Sequence, residues 1–127
     1  MANRQNQVAR EIIGNLDAIL GTGENEGDVE ALVESAEELG KELGQNQGAS
    51  TSSVRNIFST VKNMTEYDKR ELQLLRPKLA YRRSRDDDIA PLEEVLQEAI
   101  PKVQDEKSFS QFREFFEAVV AYHRRYE

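Results

Sequence analysis

Phe109-Ser110-Gln111-Phe112-Arg113-Glu114-Phe115-Phe116-Glu117-Ala118-Val119-Val120-Ala121-Tyr122-His123 decides the fold class. Phe109, Phe112, Phe116, Val119 and Val120 recur at three- and four-residue steps, the spacing that puts side chains on one face of an α-helix. Ser108 and Gln111 stand at capping-box spacing and predict that this helix begins at Ser108. The same periodicity runs backwards through the chain. Val8, Ile12, Ile13, Leu16, Ile19 and Leu20 form one amphipathic stripe that ends at Gly21-Thr22-Gly23. Val29, Leu32, Val33, Ala36, Leu39 and Leu43 form a second, with Glu26, Asp28 and Glu30 near its positive end. Residues 45–50 read as a polar loop, and Ser50 or Thr51 caps a third helix carrying Val54, Ile57, Phe58, Val61 and Met64.

A fourth helix, from about Glu66 to Tyr81, turns Leu72, Leu75 and Leu79 inward. Pro77 predicts a kink or break in it near Arg76. Asp86-Asp87-Asp88 caps a fifth helix carrying Leu92, Val95, Leu96, Ala99 and Ile100, with Pro91 in its first turn and Pro101 bending or ending it. No segment alternates with period two. The expectation is an all-α, compact bundle of five or six helices: a single domain over residues 1–127, with an acidic helical pair (1–49), basic helices (50–85) and acidic C-terminal helices (86–127).

Composition narrows the function. The 127 residues contain no Cys and one His, His123, which excludes thiolate chemistry and any multi-histidine metal site. Mean hydropathy is −0.71, and no stretch approaches the roughly 18 apolar residues of a membrane span. Arg4, Arg10, Glu11 and Asp17 interrupt the first twenty residues and argue against a signal peptide. These features together lead us to expect a cytoplasmic protein without a membrane partner. His123 falls on the inner stripe and reads as a buried or hydrogen-bonded core residue rather than a catalytic partner of Glu117. Asp86–Asp88 lacks the wider ligand pattern of a calcium loop, and Gly21-x-Gly23 lacks the third glycine of a phosphate loop. No catalytic constellation, metal site or cofactor is expected.

The net charge of −7 conceals a segregated distribution. Residues 1–49 hold three Lys/Arg against ten Asp/Glu, residues 86–127 five against eleven, and residues 50–85 nine against three. Within the basic block, Arg55, Ser59 and Lys62 lie at i, i+4, i+7. Lys69, Arg76 and Arg83 are spaced by seven, and Lys78, Arg82 and Arg85 form a second line beside the leucine face. Residues 76–85 contain five basic side chains and no acidic one. Rows of one sign on rigid elements suit a phosphate backbone, because they neutralise phosphates and release condensed counterions. Tyr67 and Tyr81 fit either base stacking or the core. Two other readings of the basic run stay open: a solvated face, or pairing with carboxylates of the same chain or a neighbouring copy. A separate alternative for the whole is a helical protein–protein adaptor whose basic face binds an acidic protein and no RNA.

Three segments in order then resemble a known family. They are Thr51-Ser52-Ser53-Val54-Arg55-Asn56-Ile57, Leu74-Leu75-Arg76-Pro77-Lys78-Leu79-Ala80-Tyr81, and Phe112-x-x-Phe115-Phe116-Glu117-Ala118-Val119-Val120-Ala121-Tyr122-His123. Over residues 51–125 the chain resembles the small subunit of the type III-A CRISPR effector, the Csm complex. The resemblance implies a non-catalytic helical subunit of an antiviral ribonucleoprotein. Several copies would line up along the guide RNA–target RNA duplex, beside the backbone subunits and the large signalling subunit. Carried over by position, Arg55 and Lys62 on the third helix and Arg76, Lys78 and Arg85 around the second motif are RNA-binding residues, and Lys69, Arg82 and Arg83 join them by charge. Acidic residues such as Glu37, Glu38 and Glu42 are expected to approach the basic middle of a neighbouring copy.

Overall fold

Helix starts are set by short polar side chains that satisfy the first free backbone N–H groups. Asn6 caps α1 (Gln7–Ile13) by accepting from the Ala9 N–H, and Ser50 caps α4 (Thr51–Lys62) through the Ser53 N–H. Asp28 caps α3 (Val29–Lys41) and Asp68 caps α5 (Lys69–Arg85). The remaining helices are α2 (Leu16–Leu20), α6 (Ala90–Ala99) and α7 (Glu106–Tyr126). A π-helical turn (Glu42–Asn46) extends α3, and 3-10 turns (Asp87–Ile89 and Ile100–Lys102) flank α6. The structure, a computed structural model, describes residues 6–127. Arg4, read above as part of a charged first segment, lies outside the described residues.

The all-α expectation holds, with seven α-helices and no strand among the described residues. The first expected helix is two: Gly14 and Asn15, both weak helix formers, form a turn between α1 and α2. Gly21 then ends α2 at φ 70°, a left-handed conformation that glycine adopts without steric cost. α7 begins earlier than Ser108. Asp105 is its cap and shares a reciprocal capping box with Ser108, because the carboxylate accepts the Ser108 N–H at 2.8 Å while Ser108 Oγ accepts the Asp105 N–H. Pro77 does not break α5, which is helical across all 17 residues. Gln97 of α6 braces the proline turn: its Nε2 donates to the Arg76 carbonyl at 2.8 Å and its Oε1 accepts from Arg76 Nε at 3.0 Å.

α7 is the centre of the packing. Phe109, Phe112, Phe115 and Phe116 are all fully buried, each such side chain contributing about 1.5–3 kcal/mol of burial free energy. α3 packs most extensively on α7, and α2 and α4 pack there too, while α1 and α5 lie on α6. The α3–α7 approach needs small residues. A Cβ on Gly40 would stand 2.6 Å from the His123 backbone nitrogen, and one on Gly44 2.8 Å from the Tyr126 backbone. His123 is buried there, and its Nε2 lies 2.7 Å from the Ala49 carbonyl, the core role its place on the stripe predicts. Leu72, Leu75 and Leu79 are buried as expected, whereas Val29 and Val33 point outward from the first turns of α3.

Candidate nucleic-acid interface

The basic block folds into α4 and α5, and the two helices treat their cations differently. α4 contains no Asp or Glu. Val54, Ile57 and Val61 take its core face, so helical geometry places Ser52, Asn56, Ser59 and Asn63 on the outward crest, all exposed. Arg55 and Lys62 stand exposed along one edge of this crest, lining a groove of about 470 Å³ towards α7 with Phe58, Ser59 and Glu117. The opposite edge opens onto α5 through a groove of about 520 Å³, where Lys78, Arg82 and Tyr81 face Asn56, Ile57 and Thr60. The surface is therefore a neutral hydroxyl and amide crest, with Lys78 and Arg82 along one margin and Arg55 and Lys62 along the other, where Glu117 and, beside Lys62, Glu106 and Glu114 also stand.

The two rows on α5 have separate fates. Lys69, Arg76 and Arg83 run along the side that meets α6, and two of the three are held by the chain itself. Arg83 Nη1 lies 3.0 Å from Glu93 and 3.2 Å from Glu94, and its Nε 3.4 Å from Asp87. Burial works against its charge, yet the bond to Glu93 and the charges of Glu93 and Glu94 outweigh that, holding the guanidinium above its ordinary value. Arg76 is tied to Gln97, with a longer contact from Nη1 to Gln73. Expected as part of an open ridge, Arg83 is instead engaged by three of the chain's own carboxylates, and Arg76 serves the α5–α6 seam. Lys69 is exposed at the start of α5.

The other row, Lys78, Arg82 and Arg85, lies on the side of α5 away from α6. Among the described residues, none of Arg55, Lys62, Lys69, Lys78, Arg82 or Arg85 has a carboxylate within 4.0 Å. Arg85 instead lies over Tyr81, its Cζ 5.9 Å from the ring centre, and donates to the Tyr81 hydroxyl at 3.1 Å. The tyrosines also separate: Tyr67 is half-buried, packs on Phe109 and donates to the Val103 carbonyl, whereas Tyr81 is 64% exposed.

Sequence reasoning missed Asn56, Thr60 and Pro77 as lining residues. Asn56 and Thr60 are four apart on the side of α4 that faces neither the core nor the Arg55 row, a signal legible once the core face is assigned. Of the acidic residues expected to meet a neighbour, Glu37 accepts from the Tyr126 hydroxyl at 2.8 Å. Glu42 is buried and accepts from Asn6 and Asn46. Glu38 stays exposed and lines an acidic groove of about 330 Å³ with Glu11, Asp28, Glu30 and Glu34.

Fold and surface together define an all-helical protein whose cations collect on one pair of helices. A family model described as Csm2 Type III-A matches residues 26–127, beginning just ahead of α3 and so reaching further than the motif resemblance. The chain belongs to this family, the small subunit of the multi-subunit type III-A CRISPR complex. No curated protein and no solved structure matches it. Among the described residues no helix is long and apolar enough to cross a membrane.

Proposed function

We propose that this chain is a non-catalytic subunit that holds the target RNA–guide RNA duplex by its backbone, without reading sequence, in antiviral interference in the cytoplasm. The observation that carries this is the crest of α4, itself free of Asp and Glu, between Arg55 and Lys62, beside Glu117, on one edge and Lys78 and Arg82 on the other. Cations on rigid helices neutralise phosphates whatever the bases, and the exposed Ser and Asn side chains of the crest can donate to the same oxygens. An effector directed by a guide delegates sequence to base pairing, so its protein surface has to be indifferent to it. Several copies stack along the duplex, the acidic α1–α3 groove of one copy towards the basic crest of the next. The backbone subunits and the large signalling subunit are the neighbouring proteins.

The test is the salt dependence of RNA binding. Replacing Arg55, Lys62, Lys78 and Arg82 together by alanine should flatten the slope of log K against log salt by about 0.7 per lost single-strand contact, roughly 3 in all. The loss should be equal for unrelated RNA sequences. A slope identical to that of the native chain contradicts the site and favours an adaptor whose basic face meets an acidic protein.

A further inference from the structure

The groove between α4 and α5 is more than a cationic margin. Its floor is apolar, from Ile57, Leu75, Pro77 and Leu79, and at about 520 Å³ it has room for a base and its sugar. Asn56 and Thr60 supply both donors and acceptors on the α4 wall, and Lys78 and Arg82 stand on the α5 side. Tyr81, on the same wall, is largely exposed, whereas Tyr67 is half-buried against Phe109. Its orientation is set from outside the groove, because Arg85 lies over the ring and bonds the hydroxyl.

We infer that this groove receives one unstacked RNA base, which stacks on Tyr81 while Lys78 and Arg82 take the adjoining phosphates. An aromatic platform inside a positive groove is the arrangement by which proteins hold single-stranded nucleic acid without sequence preference, since every base presents a π-face. Asn56 and Thr60 suit that indifference, because each can donate or accept at a base edge. An apolar side chain of a protein partner fits the floor less well: its arrival would leave Lys78 and Arg82 facing it with no opposing charge. The inference rests on the RNA reading above and adds to it a base contact that phosphate binding alone does not require.

The experiment compares a fluorescein-labelled oligouridylate with an abasic strand of the same length and phosphate count, by anisotropy at low salt on the full chain. The native protein should bind the base-bearing strand about fivefold or more tightly, the value of one stacked base. Tyr81→Ala should abolish that preference and leave affinity for the abasic strand unchanged; Tyr81→Phe should retain it. Lys78→Ala should weaken both strands alike. Equal affinity of the native chain for the two strands overturns the base pocket and leaves backbone binding standing. Failure of both strands to bind overturns both readings. A preference that survives Tyr81→Ala places the base elsewhere, and weakened self-association of that variant in sedimentation would assign the groove to a second copy.

Discussion

Arg83→Ala separates the two kinds of cation on α5 most sharply. The side chain is 34% exposed, while its partners Glu93 and Glu94 keep only 11% each. Removing the guanidinium leaves two adjacent carboxylates, both largely buried, without their counter-charge. Breaking a fully buried pair costs about 3–5 kcal/mol, whereas an exposed pair is worth less than about 1 kcal/mol. With a third of Arg83 in water, screening brings the expected loss to about 2 kcal/mol. At an unfolding entropy of about 2.1 cal/mol/K per residue, a chain of 127 residues should then melt ~7 °C lower, read by far-ultraviolet circular dichroism. Adding Glu93→Gln and Glu94→Gln to the variant should recover part of the loss. The same variant, kept below its melting temperature, should bind RNA with the native salt slope. A melting temperature that does not move, with a slope reduced by about 0.7, would mean that Arg83 faces RNA and that the assignment of the two rows is wrong.

Two further outcomes are expected. Burial would raise the Glu42 carboxyl, but the bonds it accepts from Asn6, Asn46 and Gln47 prevail and hold it below its ordinary value. A depressed carboxylate stabilises the fold above its unfolded pKa, and that contribution disappears as the pH falls through the folded one. Glu42→Gln should therefore cost about 1–3 kcal/mol at neutral pH, in urea titrations, and the gap to the native chain should close in acid; a gap that is constant with pH refutes the ionised role. Reversing Glu34 and Glu38 to lysine in the acidic groove should lower the number of small subunits per purified complex, and unchanged stoichiometry by native mass spectrometry would refute acidic-to-basic stacking.

How much of this was legible in advance depends on how local its cause is. The inward aromatic stripe of α7 and the Ser50 cap follow from one helix's own periodicity and termini, and both were readable. The α1–α2 break is also local, but Gly14 and Asn15 sit inside an unbroken apolar pattern that masks two weak helix formers. Val29 and Val33 continue the α3 stripe and yet point to water, since periodicity marks a face before it says whether a partner covers it. Pro77 predicts a break from chain chemistry alone; the brace on Arg76 comes from Gln97, 21 residues away. The fate of the cations is the least local fact of all. Arg76, Lys78, Arg82 and Arg83 are equivalent in composition, and only the packing of α6 on one side of α5 divides the tied residues from the open ones.

Lysine footprinting of the assembled complex, before and after target RNA is added, tests the α4–α5 surface most directly. Lys62 and Lys78 line the two margins of the crest, while Lys41 and Lys107 are exposed on other elements. Amine acetylation read by mass spectrometry should fall at Lys62 and Lys78 when RNA binds and stay constant at Lys41 and Lys107. Undiminished labelling of Lys62 and Lys78 on the RNA-loaded complex would contradict the account.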